Sequence, residues 1–297
     1  MITVVVPTRN RPDLLNQLIS TIVPMLKNDD KVIIVDSSDL ELQSQNLKTI
    51  PRISYVITEV KSAAIQRNIG IDLISASDYV FFLDDDVVPP KDYFSDCVKT
   101  LEDSRAVGVS GVAINPQKIN TFIKKKSILH RIFLLDSSKS GSLLRSGVNV
   151  PVRTLNSGVK EVEWLIGCAA WVYSAISDTR FESDFIGQSL GEDVIFSTRM
   201  KAKGKLVTNS NIHLFHEESI IERPTRKEFW KNWVQSRYRI VQVAKFGKIG
   251  ALCFWWSNLG QFLVLICIKI VRRNYVKGSL LGLLDGSVSV LRGKHEN

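Results

Sequence analysis

Between residues 2 and 104 the chain alternates between short runs of β-branched and aromatic residues and longer stretches with helical spacing. "ITVVVP", "KVIIVD" and "YVFFLD" read as buried strands. Between and after them, the stretches opened by Pro12, Ser62 and Lys91 read as helices, the first carrying Leu14, Leu15, Leu18, Ile19 and Ile22 on its apolar side. A strand that returns through a helix pairs parallel with its neighbour, and helices then cover both faces of the sheet. This pattern predicts an α/β fold with a Rossmann-like, mostly parallel central sheet flanked by helices. Ligands of such sheets sit beyond the carboxyl ends of the strands. Asp36 and the run Asp84, Asp85, Asp86 fall at those ends.

Three consecutive carboxylates at the end of a buried strand repel one another and need a counter-charge. Hard divalent cations are held by one or two carboxylates together with substrate phosphates. In extended backbone Asp84 and Asp86 would point to one side, so Mn2+ or Mg2+ is expected there, placed to neutralise a diphosphate leaving group. A solvated acidic turn is the plainer alternative.

Beyond "AVGVSGVAI" the alternation loosens, and residues 115–160, rich in Ser, Asn, Lys and Gly, read as a long excursion or flap. Order returns at "VEWLIGCAAWVYSAI". A loop then runs into a helix ending near Gly204, and "KLVTNSNIHLFHEES" follows as strand and loop.

Charge divides the chain. Residues 222–297 hold 14 Lys/Arg against 4 Asp/Glu, whereas residues 1–221 hold 25 against 26. A nearly neutral body over 1–221 is therefore expected, followed by basic, amphipathic and hydrophobic helices over 222–297. Such a tail faces an anionic surface. It also contains twenty uncharged residues, Ile249 to Ile268. Their length suits a membrane span, but Ser257, Asn258, Gly260 and Gln261 lie at the middle, where hydrocarbon penalises polar groups. A helix lying in the interface satisfies the same pattern. The greasy surroundings of the basic residues point to an anionic membrane surface and away from nucleic acid; completion of a globular core, or a homo-oligomer contact through these helices, is the alternative. Four cysteines without a CxxC pair fit a reducing compartment. "MITVVVPTRN" enters a strand at once and lacks the marks of a signal peptide.

Four segments, in order, resemble the family 2 glycosyltransferases, whose fold is GT-A. "VVVPTRN" is similar to the family's first strand and nucleotide-contacting loop, which implies donor contacts for Pro7, Thr8, Arg9 and Asn10. "AAIQRNIG" is similar to its A-R-N-x-G segment, "LDDD" to its D-x-D, and "GED" to the motif that bears the catalytic base. The resemblance covers residues 1 to about 225. It implies that Asp36 receives the base N–H, although "DSSD" lacks the glycine the family usually has there. It further implies an inverting transfer from a nucleotide-diphosphate sugar, with Asp193 as base beside Glu192. Arg67 would hold diphosphate oxygens with its two-pronged guanidinium, and Asn68 would support that turn. Asp84, Asp85 and Asp86 would serve the donor and its metal, with His216 reaching the metal or the diphosphate; His213 is the weaker candidate. Trp164 and Gly167 fall in a segment similar to the wall of the sugar site. The helix start at Gly191 would keep Asp193 ionised. Tail and thiols together suggest a lipid-linked glycan acceptor at the cytoplasmic face of the plasma membrane, as in bacterial surface-polysaccharide assembly.

Two rivals remain at this level. "FFLDDDVV" also fits the nucleophile motif of haloacid dehalogenase-like phosphatases. A membrane-docked sugar-nucleotide binder without turnover would show the same loops.

Overall fold

The structure, a computed structural model, describes residues 1–39, 47–115, 128–183, 190–216, 225–271 and 277–293. In chain order its elements are β1 (Ile2–Thr8), α1 (Pro12–Ile22), β2 (Lys31–Asp36), β3 (Ile53–Ile57), α2 (Ala63–Asp72), β4 (Tyr79–Phe82), β5 (Val87–Val88), α3 (Tyr93–Ser104), β6 (Ala106–Ile114), α4 (Ile128–Ile132), β7 (Val159–Val162), β8 (Ala169–Val172), α5 (Tyr173–Ile176), α6 (Glu192–Lys201), β9 (Lys205–His216), α7 (Arg226–Val243), α8 (Gly247–Val271) and α9 (Lys277–Leu291).

Among the described residues the strands form one sheet in the order β3-β2-β1-β4-β8-β6-β9-β5, with β7 also on β9. The first four strands are parallel, as the alternation requires. β8 then enters antiparallel between β4 and β6, so the sheet is more mixed than the early pattern implies. Both faces are covered. Val4 and Val6 pack with Leu15, Leu18 and Ile19 of α1 and Phe94 of α3. Val5 points the other way, to Ile71 of α2, Phe196 of α6 and Trp171. This two-sided burial explains why Val4, Val5 and Val6 follow one another without a polar break in β1.

The excursion is more ordered than its composition suggests. Residues 116–127 lie outside the described residues, but beyond them Leu135, Val148 and Val150 are buried. Arg153 pairs with Asp136 at 2.9 Å, and Trp164 Nε1 donates to the Val150 carbonyl at 3.2 Å. A few apolar anchors and an internal ion pair hold a chain with no regular period.

The expected boundary at 221/222 falls in 217–224, also outside the described residues. Just past it, α7 opens with a capping box between Thr225 and Glu228. It packs into the body rather than away from it. Ile240 shares a cluster with Val194 and Ile195 of α6 and with Trp164, and Arg239 pairs with Glu182. Trp230, Trp233 and Tyr238 turn inward against Phe254 and Leu283. α9 closes on α7 at two glycines: a Cβ on Gly282 would stand 2.1 Å from the Lys227 carbonyl, and one on Gly286 2.8 Å from that of Lys231.

Candidate active site

The acidic run does not stay extended. β4 ends at Phe82, and Asp85 and Asp86 lie in a turn. Asp84 and Asp86 therefore do not share hydrogen-bond partners, contrary to the alternation argument. Asp84 Oδ1 accepts from Arg67 Nη2 at 2.7 Å, and its Oδ2 from the Cys168 thiol at 3.4 Å. Asp85 accepts from Thr8 Oγ1 at 2.7 Å and from Arg11 Nη1 at 3.0 Å. Asp86 Oδ1 meets His216 Nε2 at 2.9 Å, and Arg11 also reaches its Oδ2 at 3.4 Å. The His216 contact depends on β5 and β9, whose antiparallel register sets Val87 opposite His216.

These surroundings separate the carboxyl groups. Burial alone would raise Asp84, but Arg67, His216 and Cys168 hold it below the ordinary range. Burial pushes Asp85 up to about 6, against the donors Thr8 and Arg11.

Arg67 is buried between two motifs. One arm of its guanidinium holds Asp84 and the other Glu192 Oε1, so it ties the end of β4 to the start of α6. The glycine at 167 follows from this: a Cβ there would lie 3.2 Å from Arg67 Nη2. Asn68 clamps the backbone of Phe181, donating to its carbonyl at 2.9 Å and accepting from its N–H at 2.7 Å. Phe181 then stacks on Phe196 and lies under the Arg67 guanidinium.

Gly191 has φ +86 and begins α6. Asp193 follows in the first turn and accepts from the Val194 N–H at 2.8 Å. Burial and the adjacent Glu192 charge push its carboxyl up to about 7. The helix terminus alone would keep it ionised, but loss of hydration outweighs that effect.

On the other side of the cleft, Gln66 bridges the ends of β1 and β2. Its amide donates to the Thr8 carbonyl at 2.8 Å and to the Val35 carbonyl at 2.7 Å. Asp36 is buried and accepts from Tyr55 Oη at 2.6 Å and from the Ser38 N–H at 2.9 Å. Arg9 and Asn10 lie at the rim and converge on Asp39, at 3.1 and 2.9 Å. Pro7 is a buried member of β1. Trp164 is buried beside α6. His213 Nε2 pairs with the Ser210 carbonyl, away from the acidic run. Arg11, Gln66, Tyr55 and Cys168 were not given roles from sequence, although Gln66 and Cys168 lie inside segments quoted there and Arg11 directly follows one.

Among the described residues no three His, Cys, Asp or Glu side chains converge as a metal cage. Asp86 and His216 do form a carboxylate–imidazole pair, and the carboxylates around it outnumber the guanidinium groups they meet. Such a pair fits a divalent cation whose remaining positions are filled by phosphate oxygens and water.

The sequence profile described as Glycosyl transferase family 2 matches residues 3–154. The chain belongs to this family. It is a glycosyltransferase, and the match removes the phosphatase reading of the acidic run. Its family-matched span holds the loops after β1 and β2 and all three aspartates, while the Glu192–Asp193 pair, His216 and the last three helices lie beyond it. Solved structures confirm the GT-A fold of this family 2 glycosyltransferase. A mannosyltransferase from Pyrobaculum calidifontis, PcManGT, in complex with GDP-Man and Mn2+, aligns with 16% identity over 99% of this chain and 87% of its own, at a TM-score of 0.58. S. aureus TarS 1–349 in complex with UDP aligns with 13% identity over 91% of this chain and 73% of its own, at 0.55. GalNAc-T7 with UDP, GalNAc and Mn2+ aligns with 14% identity over 93% of this chain and 58% of its own, at 0.58. No curated protein sequence matches this glycosyltransferase.

Proposed function

We propose that the protein transfers a sugar from a nucleoside-diphosphate sugar to a hydroxyl of a lipid-linked glycan, with inversion, at the cytoplasmic face of a membrane. The observation that carries this reading is the Asp84–Arg67–Glu192 chain, which fastens the acidic run to the helix start bearing Asp193.

Asp193 is assigned as general base. With its carboxyl near 7 it is a useful base around neutral pH. It takes the acceptor O–H proton as that oxygen bonds to the anomeric carbon, while the bond from that carbon to the diphosphate oxygen breaks. A single displacement of this kind inverts the centre. Asp86 and His216 would hold Mn2+ or Mg2+, which when bound neutralises charge on the leaving diphosphate. Arg67, enclosed by Asp84 and Glu192, is assigned to holding the two acidic motifs in place rather than to phosphate contact. Arg9, Asn10 and the buried Asp36 frame the nucleotide end, with Thr8 and Asp85 beneath it. Asn68 fixes the Phe181 backbone behind Arg67, and Trp164 and Gly167 support the sugar wall from behind. The related structures solved with GDP-Man or UDP and Mn2+ support a nucleotide-sugar donor and a divalent ion.

The test is a panel of nucleotide-sugars, with membrane lipid extract as acceptor, assayed for nucleoside diphosphate release and for labelled lipid product with and without chelator. Asp193→Asn should still bind the donor and should lose turnover. A protein that binds a donor yet releases no nucleotide under any condition would be a binder, and the transfer reading would fail.

A further inference from the structure

The tail resolves a contradiction present in the sequence. Helix α8 contains a stretch, Gly247–Cys267, long and apolar enough to cross a membrane, yet polar residues occupy its middle. In the fold these residues face the protein. Ser257, Asn258 and Gln261 are all buried. Arg237 of α7 lies against two of them. It donates to Asn258 Oδ1 at 2.8 Å and to Ser257 Oγ, and also to the Ser146 carbonyl at 2.7 Å. Its guanidinium lies over Trp233 and Phe254. Inserting α8 across a bilayer would strip these partners from a buried cation, which is costly without an equivalent replacement.

The opposite face of α8 is apolar throughout. Ile249, Leu252, Trp256, Leu259 and Leu263 repeat at steps of three and four and are exposed by 42–71%. A second element extends this face. Trp256 Nε1 donates to the Ile132 carbonyl of α4 at 2.9 Å, and its ring packs on Phe133. A Cβ on Gly260 would stand 2.2 Å from Phe133, so α4 and α8 are in close contact. α4 adds Ile128, Leu129 and Ile132, exposed by 74, 57 and 54%. A continuous apolar face of this kind marks an interaction surface.

Charge selects the occupant. Arg131, Lys245 and Lys248 are exposed beside this face. No acidic residue occurs between positions 244 and 271. A two-fold contact with a second copy would set this cationic rim against itself. Anionic lipid complements both the rim and the apolar centre.

We propose that α8 and α4 form an in-plane docking face for an anionic bilayer, with Leu252, Trp256, Leu259 and Ile132 immersed and α8 parallel to the surface rather than across it. This rests on the reading of a membrane-borne acceptor, but its test does not need transfer activity.

The full-length protein is floated with phosphatidylcholine vesicles with and without phosphatidylglycerol, and its tryptophan emission is read with lipids brominated near the headgroup or near the midplane. Flotation with the anionic vesicles is expected. Quenching should be strong from shallow bromine and weak from deep bromine, and Trp256→Phe should remove most of it. Leu252→Glu with Leu259→Glu should abolish flotation and leave nucleotide-sugar binding intact. Neutralising Lys245, Lys248 or Arg131 to Gln should weaken partitioning about five-fold each, a readout that holds even if the double variant misfolds. Deep quenching with a protease-protected C-terminus would show a span and overturn the proposal. Absence of flotation, with a dimer that the Glu substitutions dissociate, would assign the face to a second copy instead. Loss of donor binding by the wild type, with flotation intact, would count against the transferase reading alone.

Discussion

Helix α7 is seated directly on the turn that presents Asp193, and one glycine measures how closely. Gly191 has φ +86, and a Cβ there would stand 2.3 Å from Ser236 Oγ and 3.2 Å from Ile240 Cδ1. Gly191→Ala therefore carries two separable costs. The left-handed backbone costs a non-glycine residue about 1–2 kcal/mol. The overlap with Ser236 belongs to overpacking, which costs about 1–3 kcal/mol in a tight core. The single variant should thus lose about 2–5 kcal/mol in urea denaturation. Ser236→Ala removes the clashing oxygen, and the next Ser236 atom is 3.7 Å away, an ordinary contact. In the double variant the backbone cost and the tight approach to Ile240 should persist while the Ser236 overlap is gone, giving a coupling of about 1–3 kcal/mol in a double-mutant cycle. Turnover should follow the same pattern, because a displaced α7 lets the Asp193 turn shift. Additive losses, or a Gly191→Ala protein as stable as the parent, would refute the seating of α7 and return the C-terminal helices to the status of an appended module.

Three further outcomes follow from the site. Donor-saturated turnover should rise with pH through an apparent value near 7, since burial and Glu192 raise the Asp193 carboxyl and only its ionised form accepts the proton. About a tenth should be active at pH 6 and about nine tenths at pH 8, and a limb near 4 would show the base to be elsewhere. Asp193→Asn should reduce turnover by about two to four orders of magnitude with donor affinity kept in calorimetry; near-normal turnover would instead point to Glu192. Asp86→Ala and His216→Ala should each weaken Mn2+ binding, read by electron paramagnetic resonance with nucleoside diphosphate present, whereas Asp84→Ala should chiefly lower stability by leaving Arg67 half-paired; equal metal affinity in all three would exclude the Asp86–His216 pair as the metal site.

Much of the catalytic body was legible in the chain. β1, β2 and β4 and the helices between them follow from apolar spacing, because burial on two faces or on one stripe leaves a local periodic record. The placement of Asp36 and Asp84–Asp86 at strand ends followed from the same record. β3 carries a weaker one: its burial is mixed, and it was not anticipated.

What the tertiary structure alone decided are the partners. Glu192 lies 125 residues from Arg67 and His216 130 from Asp86, and no local spacing encodes either meeting. β8 pairs antiparallel inside a sheet whose opening strands are parallel, a choice made by neighbours remote in sequence. The polar centre of α8 is the clearest instance. Ser257 and Asn258 alone read as flaws in a span, and a hydropathy pattern records only that polar groups are present. Whether a polar group is a defect or a ligand depends on what it faces, and here it faces the buried Arg237 guanidinium from another helix. Burial leaves a periodic trace in the chain that is buried, whereas a hydrogen bond between distant segments exists only once folding has closed the loop between them.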